Sequence, residues 1–152
     1  MNAAAQDAGD GTFSAAERAA MKERAAELKA EVRNASAEKK AAAEREAFDA
    51  KIAEMPQPDR DVAKRLHEIV TGAAPELHPK LYYGQPGWAK AGKIIVFFRS
   101  GLMDKARYST LGFSEEAALD EADGFWPTSY ALEKLSDATE AVIAESVARA
   151  VG

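Results

Sequence analysis

The first third of the chain has few large hydrophobic side chains, and their spacing is helical. From residue 14 the apolar positions recur at alternating steps of four and three residues: Met21, Ala25, Leu28, Val32 and Ala35. Ser14 and Glu17 match a capping box, which predicts the start of a helix. Asn34 and Ser36 favour a break, after which a second helical stretch is expected to end before Pro56, because proline displaces the residue before it from helical backbone angles.

Beyond residue 56 the pattern predicts strands flanked by helices. Residues 59–73 and 137–151 repeat apolar positions at helical spacing, and a short helix is expected at 115–123. The uninterrupted apolar run from Ile94 to Phe98 favours a central strand. Further strands are expected at 82–89, 106–113 and 128–132. This order favours an α+β fold, in which helices pack on a small antiparallel β-sheet behind an Ala-rich helical N-terminal extension.

Three parts are therefore expected along the chain. Residues 1–13 are small and polar and predict a disordered tail, residues 14–55 an Ala-rich helical arm, and residues 56–152 the α+β domain. Residues 1–50 contain 18 Ala, so the arm can bury little by itself. Stripes of like charge, such as Glu23, Glu27 and Glu31, could pair with another helix of this chain or of a second copy, and the second case would give self-association through residues 14–55. The alternative is a solvated extension.

Composition excludes several classes of function. The 152 residues contain no Cys, so disulfides and Cys-ligated metal sites are ruled out. A net charge of −5 without a basic cluster argues against nucleic acid as a partner. No apolar run approaches the ~20 residues that span a bilayer, and the N-terminus lacks the pattern of a signal peptide. A cytoplasmic protein without membrane contact is expected.

Short motifs in residues 48–152 also point to a known family. They are Tyr83-Gly84-x-Pro86-x-Trp88, Gly92-Lys93-Ile94-Ile95-Val96-Phe97-Phe98, Tyr108-Ser109-Thr110-Leu111-Gly112-Phe113 and Trp126-Pro127-Thr128-x-Tyr130-Ala131-Leu132. In this order they resemble the YdhG-like family of small bacterial domains, and the Ala-rich arm resembles one in actinobacterial members. The family is mostly of unknown function, but some members are described as frataxin-like iron chaperones. The resemblance therefore implies an iron-binding protein and gives no catalytic residues.

A cluster of acidic residues is the first candidate site. Five carboxylates fall within nine residues: Glu115, Glu116, Asp120, Glu121 and Asp123. On a helix, Glu116, Asp120 and Asp123 would share one face, and carboxylate oxygens are suitable ligands for a labile Fe2+ ion. Together with the resemblance, this predicts a non-enzymatic metallochaperone that binds Fe2+ weakly and passes it to an iron-acceptor protein. The alternative is a solvated surface helix.

An aromatic cleft is the second candidate site. Tyr83, Trp88 and Trp126 lie beside Gly and Pro breaks, where they could form the rim of a pocket, and Arg99 and Arg107 could bind an anionic ligand there. This alternative predicts a small-molecule-binding module or a modest enzyme. His67 and His78 match no metal-ligand spacing and are interpreted as structural. No nucleophile motif is present, and the P-loop-like spacing of residues 87–93 leads into a strand instead of a helix.

Overall fold

The computed structural model describes residues 13–152, so most of the expected tail, residues 1–12, lies outside the described residues. Within residues 13–152, four helices and five strands follow one another in the order α1 Ala15–Glu54, α2 Asp59–Ala73, β1 His78–Tyr82, β2 Gln85–Lys90, β3 Lys93–Arg99, α3 Gly101–Asp104, β4 Ser109–Phe113, β5 Ser129–Leu132 and α4 Asp137–Ala150. The expected α+β class is confirmed.

The helix α1 is continuous, so the prediction of a break near Asn34 and Ser36 is wrong. Neither residue is Gly or Pro, so each lowers the stability of a helix by only roughly 0.5 kcal/mol relative to alanine. The many surrounding Ala residues favour continuation of the helix. The expected capping box is present: the Ser14 hydroxyl accepts a hydrogen bond from the Glu17 backbone N–H at 3.0 Å, and Glu17 accepts one from the Ser14 N–H at 2.9 Å. Hydrogen bonding from the Ser14 backbone N–H, followed by that from the Ser14 side chain, lowers the pKa of the Glu17 carboxyl.

The strands form one antiparallel sheet in the order β1-β2-β3-β4-β5, so each strand pairs with its neighbour in sequence and β1 and β5 form the edges. The register places Trp88 opposite Val96 and Ala89 opposite Ile94, which leaves Ile95 as the extra residue of a β-bulge. Across β3 and β4, Phe97 faces Gly112, where a Cβ atom would lie 2.3 Å from the Phe97 ring. The aromatic ring therefore occupies the space that a side chain at residue 112 would need.

The described residues fall into two compact units, residues 13–40 and residues 41–152. The second unit includes the last turns of α1, because Phe48 and Ile52 belong to its hydrophobic core together with Leu66 of α2, Trp88 of β2 and Val147 of α4. On its surface, Arg65 of α2 and Glu140 of α4 form a two-point ion pair with N–O distances of 2.7 and 3.0 Å. This pairing raises the pKa of Arg65 and lowers that of Glu140.

Within residues 13–152, no helix combines the length and hydrophobicity needed to cross a membrane.

Candidate functional site

The acidic segment 115–123 is not a helix, so this expectation is wrong. It consists of turns, in which the Ala117 N–H donates to the Ser114 carbonyl at 3.1 Å and the Ala118 N–H donates to the Ala150 carbonyl at 2.8 Å. Ala117 and Leu119 are buried and Ala118 is exposed, which is the alternation of an extended chain. The bond to Ala150, at the end of α4, is a tertiary contact that overrides the local helical preference.

The five predicted metal ligands do not form a common cluster. Glu116 pairs with Lys93 at 3.1 Å and Glu121 with Arg149 at 2.9 Å. Asp123 accepts a hydrogen bond from the Phe125 backbone N–H at 3.3 Å, whereas Glu115 and Asp120 are exposed. Among residues 13–152, no group of three or more His, Asp or Glu side chains is arranged to hold a metal ion. Fe2+ binding and an iron-acceptor partner stay predictions without support from this arrangement.

The predicted aromatic cleft is divided between the core and the surface. Trp88 is completely buried, so it cannot form a rim; its ring lies against Phe48 of α1 and His67 of α2. Tyr83 is 84% exposed, and Trp126 packs partly against the core. Arg99 pairs with Asp104 at 3.0 Å, and the Arg107 guanidinium lies 5.0 Å from the Tyr108 ring. Arg107 lines a small cavity of about 180 Å³ next to Asp59.

A different site lies between the last turns of α1 and the middle of α2, within the second unit. It is an open groove of about 480 Å³. Phe48 and Ile52 of α1 are buried beneath it, and His67 and Lys64 of α2 also line it. This groove combines an apolar floor with polar side chains at its border, which is the usual composition of a small-molecule site.

A hydrogen bond from the buried tryptophan fixes the tautomer of the neutral His67 imidazole. The Trp88 Nε1–H donates a hydrogen bond to Nδ1 of His67 at 3.1 Å, and the Phe48 ring packs 5.2 Å from the imidazole. Burial, followed by the positive charge of Arg45, lowers the pKa of His67, although Asp49 and Glu68 oppose this shift. The imidazole is therefore neutral near pH 7 and carries its proton on Nε2, since Nδ1 accepts. The groove thus gains an N–H donor in an apolar setting.

Two of the charged side chains that line the groove, Arg45 and Glu68, are paired with an opposite charge. Arg45 binds both carboxylate oxygens of Asp49, at 3.0 and 3.1 Å, and Glu68 pairs with Arg65 at 2.9 Å.

Two further cations, Arg60 and Lys64, have no carboxylate partner among the described residues. Arg60 uses only its Nε, which donates to the Met55 carbonyl at 3.1 Å. Arg60, Lys64 and His67 are spaced four and three residues apart on α2 and thus share one helical face. The groove is therefore locally positive although the whole chain is acidic.

The sequence contains part of the signal for this site. The spacing of Arg60, Lys64 and His67 is visible once 59–73 is read as a helix. The partnership of His67 with Trp88 is not visible, because the two residues are on different elements and are joined only by tertiary packing.

His78, the other histidine, has its Nε2 3.2 Å from Glu44 but no aligned hydrogen bond there, while Glu44 also pairs with Lys80 at 3.2 Å.

A second buried polar network lies at the start of α2. Oδ2 of Asp59 accepts hydrogen bonds from the hydroxyls of Ser100 at 2.5 Å and Ser109 at 3.3 Å, and from the Leu102 backbone N–H at 3.1 Å. The Gly101 N–H donates to the Ser109 hydroxyl at 2.8 Å. These bonds join the first residue of α2 to the β3–α3–β4 corner. The network therefore positions the helix that carries the groove cations.

The stability of the folded chain is expected to decrease from about pH 7.5 to about pH 5.5, in part because of His67. The pKa of His67 is lower in the folded chain than its ordinary value of 6.5, so between these two values the unfolded chain binds more protons. The contribution of His67 is complete above pH 6.5 and is lost as the pH falls through the folded pKa. Protonation also places an N–H on Nδ1, opposite the Trp88 donor.

Urea denaturation at both pH values, with His67→Asn as the comparison, measures this contribution. Asparagine keeps an acceptor near the position of Nδ1 but does not titrate. The loss of unfolding free energy on acidification should be smaller in His67→Asn than in the wild type. An equal loss in the two proteins would show that His67 does not contribute.

No protein-family model, curated protein or solved structure matches this chain. The resemblance to the YdhG-like family stays a prediction from the motifs.

Proposed function

We propose that this protein is a non-enzymatic binding protein for a small organic anion, which it holds in the groove between the last turns of α1 and the middle of α2. The ligand class is an apolar body that carries one carboxylate, sulfonate or phosphate group. The observation that carries the proposal is the pair of uncompensated cations, Arg60 and Lys64, on the same helical face as a neutral His67.

The apolar part of the ligand would contact Phe48, Ile52 and Ala53. Its acidic group would meet Arg60 and Lys64, and a neutral imidazole can add a hydrogen bond through Nε2–H. A volume of about 480 Å³ lies within the range of small-molecule sites. The proposal retains the small-molecule-binding alternative of the sequence analysis but moves the site away from Tyr83, Trp126, Arg99 and Arg107. Nothing in the groove favours bond cleavage or redox chemistry over binding.

Binding of the anionic dye 8-anilinonaphthalene-1-sulfonate tests the proposal, with the uncharged N-phenyl-1-naphthylamine as its apolar counterpart. The double variant Arg60→Gln/Lys64→Gln should weaken binding of the anionic dye about tenfold, because two partly exposed charge interactions contribute about 0.5–1 kcal/mol each. Binding of the uncharged dye should change little. Fluorescence titration of both dyes gives the two dissociation constants.

Two matched controls locate the site. Lys105→Gln/Lys134→Gln removes the same charge at exposed positions outside the groove and should leave both affinities unchanged. Ala53→Trp fills the groove and should remove binding of both dyes, whereas Ala50→Trp, at an exposed position of α1 that does not line the groove, should not. Equal affinities of the anionic dye for the wild type and the Arg60/Lys64 variant would contradict the proposal.

A further inference from the structure

Residues 15–40 of α1 present an exposed apolar seam. Met21, Leu28 and Val32 are 53%, 46% and 66% exposed, and Ala25 and Ala35 lie on the same face at alternating steps of four and three residues. No side chain of residues 13–40 is buried, although the segment is helical over its length from Ala15. Helices without tertiary packing are marginal in water, so an apolar seam of this kind favours a partner.

The charges beside the seam are sorted by sign. At about 100° per residue, one flank of the seam is basic, and the opposite flank is mainly acidic. The basic flank contains Lys22, Lys29, Arg33 and Lys40, and the acidic flank contains Glu17, Glu27, Glu31 and Glu38. Arg24 is the exception on the acidic flank, where it is neutralised by Glu27 at 3.2 Å. The next seam position after Ala35 is Lys39, and because its side chain is charged the apolar seam ends there.

This sorting selects one kind of partner. In a parallel two-fold pair, the basic flank of one helix meets the acidic flank of the other, whereas in an antiparallel two-fold pair each flank meets its own kind. Glu17 and Lys22 have the five-residue separation that lets them pair between parallel chains; Arg24 and Lys29 have the same separation with like charge, but Arg24 is already paired with Glu27. We infer that residues 15–40 form a parallel, in-register coiled coil with the same segment of a second copy of this chain.

Single-cysteine variants of the full chain test both the pairing and its direction, because the natural sequence has no Cys. Ala25→Cys and Ala35→Cys place thiols on the seam, and Ala37→Cys is the control on the opposite side of the helix. In a parallel in-register pair the two thiols of either seam variant face each other within disulfide reach. Under mild oxidation, both seam variants should give several-fold more disulfide-linked dimer than the control.

An antiparallel pair would behave differently. Residues 25 and 35 are about 15 Å apart along the axis, so at most one seam variant could then link to itself, and a mixture of the two variants could form the mixed disulfide instead. Either result would overturn the inference. Equal, low linkage in all three variants would also overturn it.

The mass of the protein in solution gives an independent readout. Light scattering over a range of concentrations should show a dimer for the wild type, and Leu28→Glu/Val32→Glu should shift it to the monomer. Ala37→Glu adds a similar charge away from the seam and should leave the dimer intact. A monomeric wild type at all concentrations would contradict the inference. The groove lies in residues 41–152, so the dye titrations test it separately.

Discussion

Replacing Gly101 with alanine should lower the free energy of unfolding by about 3 kcal/mol, the upper range for forced overpacking. A Cβ atom at this position would lie 2.6 Å from both the carbonyl carbon and the oxygen of Tyr108, and 2.8 Å from the Ser109 nitrogen. These are backbone atoms at the start of β4, so no side-chain rotation relieves the clash. The corner must open, and with it the bond from the Gly101 N–H to the Ser109 hydroxyl.

Gly72→Ala is the matched control. A Cβ atom at residue 72 would meet nothing within 4 Å, and the position is in the last turn of α2. This substitution should raise the free energy of unfolding by about 0.5 kcal/mol, because alanine restricts the unfolded chain and favours the helix. Urea denaturation of both variants measures the difference. Similar stability of the two would show that the close approach at Gly101 does not exist.

Removal of the Asp59 carboxylate should have an effect of similar size, about 3 kcal/mol in Asp59→Ala, which is the upper end of the cost of leaving a buried hydrogen-bonding group without its partner. Asp59 is only 8% exposed, and its Oδ2 receives three donors. Alanine leaves the buried Ser100 hydroxyl without this acceptor. Asp59→Asn keeps the shape and one neutral acceptor, so its loss should be intermediate.

Asp61→Ala controls for the general effect of removing an acidic residue from the first turn of α2. Asp61 is exposed and accepts a hydrogen bond from the Gln57 side chain at 3.0 Å. Its replacement should cost about 0.5 kcal/mol, as for other surface positions. Urea denaturation of the three variants should thus rank Asp59→Ala as least stable, then Asp59→Asn, then Asp61→Ala. Equal losses in Asp59→Ala and Asp61→Ala would contradict a positioning role for the network.

The sequence pattern predicts those parts of this fold that depend on local periodicity. The helices at 59–73 and 137–151 and the strand through Ile94–Phe98 are confirmed, because their apolar spacing matches the faces that they bury. The prediction of a helix at 115–123 is wrong, because the conformation of this segment depends on a backbone hydrogen bond from Ala118 to Ala150, which is far away in the sequence. A pattern read over neighbouring residues does not contain that bond.

The candidate sites depend even more on distant contacts. The Gly and Pro neighbours of Trp88 predict a position at a pocket rim, but Trp88 is buried and its hydrogen bond to His67 belongs to the packing of β2 on α2. The same holds for Asp59, whose partners are at Ser100, Leu102 and Ser109. Residue types alone favour a metal site at the acidic cluster. The structure instead brings isolated cations and a histidine to one groove, because they share a helical face.

The two edge strands affect how copies of this protein can meet. An open edge offers unpaired backbone groups to strands of other molecules, which leads to uncontrolled aggregation. Here β1 includes Pro79, which has no backbone N–H to offer, and Lys80, while β5 is only four residues long. Such edges are poor templates for strand addition. The sheet is therefore protected against fibril-like growth, even at the high local concentration that pairing of α1 would create.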